Sequence, residues 1–170
     1  MKRFAAKFSM TLIVAFCLFA YNVQAQKFYD YGGKFKIQFP GNPTPGTQNL
    51  ETDMGPVVLY QFIYESQTAA YMVSYVDYPA DKMKGQDYKA LLDRAKNGFI
   101  GALNLTTVDS MYINYGRHQG LMFHGEGAGM YCVMRDYLVD NRLYQLGILQ
   151  VSAISIQEEN EFFDSFELVK

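Results

Sequence analysis

The sequence has no tryptophan, two cysteines, two histidines and five prolines in 170 residues. Each shortage removes a class of explanation. One cysteine, Cys17, falls in the N-terminal segment, so a chain processed there keeps Cys132 alone and has no internal disulfide to stabilise it. Two histidines leave little material for a histidine-rich metal centre. There is no run of Lys and Arg, which argues against nucleic acid or an anionic membrane surface as partner. Beyond the N-terminus no apolar run approaches the roughly 20 residues that span a bilayer. No P-loop, dinucleotide fingerprint, Cys-x-x-Cys or Ser-His-Asp order is present. The sequence therefore supplies no catalytic set and implies no cofactor.

What is present begins with an export signal. Lys2, Arg3 and Lys7 precede an apolar run over residues 10–20, and Val23-Gln24-Ala25 offers small or compact side chains where a signal peptidase reads. Residues 1–25 are expected to be a cleaved signal peptide, with residues 26–170 as one domain in the periplasm or outside the cell. Cys17 sits inside the apolar run after Phe16, which is the wrong place and the wrong neighbour for a lipid-anchored cysteine. Cleavage takes Lys+Arg from 15 to 12 against 17 Asp+Glu, leaving a charge of about −5.

Periodicity divides the remainder. Strands are expected over residues 34–39, closed by Pro40-Gly41, and over 57–64 and 69–78, joined around Glu65-Ser66-Gln67 and ended by Pro79. Residues 41–49, with Pro43, Pro45 and Gly46, read as a polar loop. Tyr88, Leu91, Leu92, Ala95, Phe99, Ala102 and Leu103 recur at helical spacing, with Asp87 as N-cap. Strands return over 106–113, 120–126, 130–139 and 143–151. Asp140-Asn141 marks a tight hairpin between the last two. Ser155 and Glu158 have capping-box spacing for a closing helix. This order predicts an α+β domain, an antiparallel sheet flanked by helices.

Several segments resemble the PsbP-like group of small secreted bacterial domains. They are Phe35-Lys36-Ile37-Gln38-Phe39-Pro40-Gly41-Asn42-Pro43, Tyr75-Val76-Asp77-Tyr78-Pro79, Leu91-Leu92-Asp93, Asn141-Arg142-Leu143-Tyr144-Gln145-Leu146 and Phe163-Asp164-Ser165-Phe166. The resemblance covers residues 28–169 and implies an αβα sandwich. It also implies action by binding partners, and it carries over no catalytic residue.

Candidate sites are few. His118, His124 and Glu126 share a strand face, but six residues of strand span about 20 Å, so only His124 and Glu126 could hold one metal ion. Cys132 could act as a nucleophile if His124 reached it across the Gly127–Gly129 turn; packing is the simpler role for a lone cysteine. Tyr71, Tyr75 and Asp77 share another face, and Tyr137 and Tyr144 flank the hairpin. Tyrosine suits a binding surface, and it equally suits the rim of a sheet core. The expected function is an exported, non-enzymatic binding or accessory protein of the bacterial envelope, whose partner is an envelope protein or a small ligand. The alternative is a small-molecule or metal-binding protein, or a hydrolase, built on His124, Glu126 and Cys132.

Overall fold

The computed structural model describes residues 26–169. The expected signal peptide lies outside the described residues. Ten strands and three helices follow in order: β1 (Gln26–Asp30), β2 (Phe35–Phe39), β3 (Thr44–Thr52), β4 (Gly55–Glu65), β5 (Ala69–Asp77), α1 (Ala80–Met83), α2 (Tyr88–Ala102), β6 (Thr106–Tyr115), β7 (His118–Gly127), β8 (Met130–Val139), β9 (Arg142–Gln150), α3 (Ile156–Phe163) and β10 (Glu167–Leu168). Among the described residues no helix is long and apolar enough to cross a membrane.

The strands form two antiparallel sheets. The larger has the order β3-β4-β5-β9-β8-β7-β6, and the smaller β1-β2-β10. Successive hairpins build β3 to β5 and β6 to β9, and the two runs meet along one seam, β5 against β9, where Ala69 pairs with Gln150 and Asp77 with Arg142. Central strands are buried on both faces, which is why β5 and β9 read as nearly continuous apolar runs.

This architecture corrects the expected α+β sandwich. The chain is mostly strand, and a helix-flanked αβα arrangement is not what it forms. One face of the large sheet is covered by α2, whose Leu91, Leu92 and Ile100 pack with Leu121, Phe123, Met134 and Leu138. The other face is covered chiefly by the small sheet. Phe35, Ile37 and Phe39 of β2 pack there with Phe162 and Phe163 of α3 against Val73, Val133, Leu146 and Ile148.

The local signals explain the elements. The Asp87 carboxylate accepts from the backbone N–H groups of Lys89 at 2.9 Å and Ala90 at 3.4 Å, starting α2. Ser155 Oγ accepts from Glu158 N at 3.2 Å and starts α3. The β8–β9 link is the two-residue turn Asp140-Asn141, with Asp140 at φ 55°.

Candidate functional site

A cleft opens on the small-sheet side of the large sheet, at the end of β7. β7 presents His124 there, opposite Val133 of β8. The register of β6 shifts between Thr107 and Asp109, and this bulge sets Asp109 directly across from His124. His124 Nδ1 lies 2.7 Å from Asp109 Oδ1. A carboxylate only accepts, so the Nδ1–H donates. On the ring's other side Nε2 lies 3.5 Å from Oε1 of Glu159. Glu159 is carried by the first turn of α3, where the helix dipole favours a carboxylate, and it is only 7% exposed.

The space beside this triad measures about 260 Å³ and is lined by Val108, Asp109, His124, Tyr131, Ile154 and Glu159. Val108 and Tyr131 remain 59% and 41% exposed, so its walls are apolar surface that the fold has not used. Glu126 sits at the rim and is exposed. The arrangement suits an organic cation with an apolar stem: carboxylates around the opening to meet the charge, and Val108, Tyr131 and Ile154 to meet the rest.

Cys132 does not join His124. Strand alternation puts it opposite Gly125, on the α2 face, while His124 points from the other. A Cβ on Gly125 would fall 2.9 Å from the Cys132 sulfur and 2.7 Å from Ile100, which places the thiol in the core beneath α2. Burial pushes that thiol up to about 11, against the weaker opposing pull of a backbone hydrogen bond from Gly125. At neutral pH it stays protonated and is a poor nucleophile. His118 pairs with Tyr115 at the far end of the β6–β7 hairpin. Among the described residues no three His, Cys, Asp or Glu side chains come together in a way that could hold a metal ion.

The tyrosines occupy the second core. Tyr75, Tyr137 and Tyr144 are 5%, 5% and 2% exposed. Tyr75 stacks on Tyr60 with centroids 4.9 Å apart, and Tyr137 stacks on Phe166 at 6.1 Å. The Tyr144 hydroxyl donates to Gly33 O at 2.5 Å. Tyr71 donates to the Glu158 carboxylate, and burial is the main cause that raises its phenol well above the ordinary value. Asp77 receives a fork of two bonds from Arg142, 2.7 Å from Nε and 2.6 Å from Nη2. The same guanidinium donates to Gly32 O at 2.9 Å and lies 4.4 Å above the Tyr75 ring. These residues tie β5 and β9 to the turn between β1 and β2.

Sequence reasoning missed Asp136, which is fully buried on the α2 face. It stands in a polar row across the sheet with Ser74 and Gln145. Gln145 Nε2 donates to Oδ2 at 3.2 Å, while Oδ1 has no hydrogen-bond partner among the described residues. Burial pushes this carboxyl up to about 8, with Gln145 only partly opposing it. Its signal in the sequence is parity: Asp136 lies two residues from both Met134 and Leu138 and so shares the face on which they point into the core.

No protein-family model matches the sequence, and no curated protein matches it.

Proposed function

We propose that this chain is an exported binding protein of the bacterial cell envelope that takes a small organic cation in the cleft beside His124. Export is supported by the composition of residues 1–25, and action by binding is supported by the PsbP-like segments. The observation that carries the ligand reading is the cleft itself, an opening of about 260 Å³ with unused apolar walls and carboxylates among its lining residues. The surplus of acidic over basic side chains in the chain after residue 25 adds a long-range pull on cations.

The deciding experiment is native mass spectrometry of the protein purified from its own envelope, beside a Val108→Trp variant. Val108 is 59% exposed, so tryptophan there fills the cleft without entering the core. A reproducible mass excess on the wild type, displaced by added alkylamine and missing from the variant, is the expected result. A bare wild-type chain, with no melting shift on titration with mono- and diamines, overturns the reading.

A further inference from the structure

We infer that the outer edge of β6 is a self-pairing surface, and that two copies join there into one continuous sheet. This inference is independent of the cleft's ligand. β6 ends the large sheet, and no described strand pairs with its outer side. An unpaired strand edge is a template for another strand unless something blunts it. The opposite edge, β3, is blunted by Pro45 and Gly46 within its length. β6 has ten residues without Pro, Gly, Lys or Arg. Its bulge lies at one end, and the pairing runs in unbroken register from Asp109 to Tyr115.

The occupant is a second copy because this stretch is complementary to itself. Antiparallel pairing about a two-fold axis at Tyr112 sets Met111 opposite Ile113, Ser110 opposite Asn114 and Asp109 opposite Tyr115. Asp109, the strand's one charged residue, never meets itself. In the same register Arg117 of the second copy falls opposite Thr107, two residues from Asp109. Both charged residues are exposed, and Asp109 keeps its bond to His124, so opposite charges lie near each other twice. Met111 and Tyr112, 54% and 45% exposed, would be covered by the pairing. Such an interface is isologous and closes on itself, giving a dimer and no fibre.

Cross-linking tests both the contact and its register. Tyr112→Cys places two thiols at the axis, whereas Asn114→Cys places them four residues apart, about 13 Å along the strand. Cys132 is buried and stays out of the reaction. Under mild oxidation Tyr112→Cys is expected to give a covalent dimer, and Asn114→Cys to give it at least tenfold more slowly. Sedimentation of the unmodified protein should show a dimer whose dissociation constant rises about tenfold in Met111→Lys, because two cross-strand pairs are lost by symmetry. A monomer at every concentration overturns the inference, as does equal cross-linking at the two positions.

Discussion

The two faces of the large sheet are packed by different means. On the α2 face the core is mostly aliphatic, Phe123 apart, with Met54, Met83 and Met134 among its buried members and Met72 against its edge. On the other face the core has no methionine among the described residues and is crowded with rings. Phe166 alone touches Phe35, Tyr115, Tyr137 and Tyr144, with centroids between 5.6 and 6.1 Å. Methionine is flexible and fills gaps, while aromatic pairs demand set distances and angles. The α2 face is thus the adaptable side, and the small-sheet face the rigid one. The polar groups do not divide so cleanly, since Arg135 Nε on the ring side and Asp136 Oδ1 on the α2 side both lack a partner among the described residues. Tyr144, on the ring side, is bonded.

That contrast yields ordered expectations. Phe166→Ala should cost about 3–5 kcal/mol, because rigid neighbours cannot close the hole; Leu92→Ala should stay nearer 2–3, since methionines can move in. Denaturant melts of the two variants check this, and equal losses would break the comparison. Next in size is Asp136→Asn. The folded carboxyl holds its proton up to about 8 and the unfolded one only to an ordinary 3.8, so wild-type stability should fall as pH climbs between those values and level off above. The Asn variant should lack that slope and gain about 1–3 kcal/mol at pH 8, measured by melts across the pH range. The smallest effect belongs to Tyr144→Phe, about 1–2 kcal/mol, from the buried Gly33 carbonyl left without its donor.

Much of the frame was legible in the residues. α2 with Asp87, α3 with Ser155, and the Asp140-Asn141 hairpin all follow from capping and turn chemistry, which act within a few residues. β3 reads as a loop because an edge strand exposed along most of its length needs no apolar alternation, and Pro45 and Gly46 resemble loop residues. Without β1 and β3 the sequence suggests helices as the cover on both faces, which is how the α+β expectation arises and why it fails. Tyr71 and Tyr75 do share a face, as alternation implies, but period-two alternation does not say which face another sheet will cover. In the cleft His124 stood out, yet its partners did not. Asp109 reaches it only through a bulge, and Glu159 comes from α3, where a carboxylate in the first turn is already accounted for by the helix dipole. Parity alone should have separated Cys132 from His124, since the intervening turn preserves the alternation of both strands.

The seam between β5 and β9 has a consequence for how the chain reaches this state. On either side of it every strand of the large sheet pairs with its neighbour in sequence, so both halves assemble from local contacts. The seam instead joins Ala69 to Gln150, with the whole β6–β8 excursion between them. Closing that loop carries an entropic cost, and folding rates fall as contacts become more distant in sequence. The two halves are therefore expected to form early and wait for each other, with the docking of β9 on β5 as the slow step.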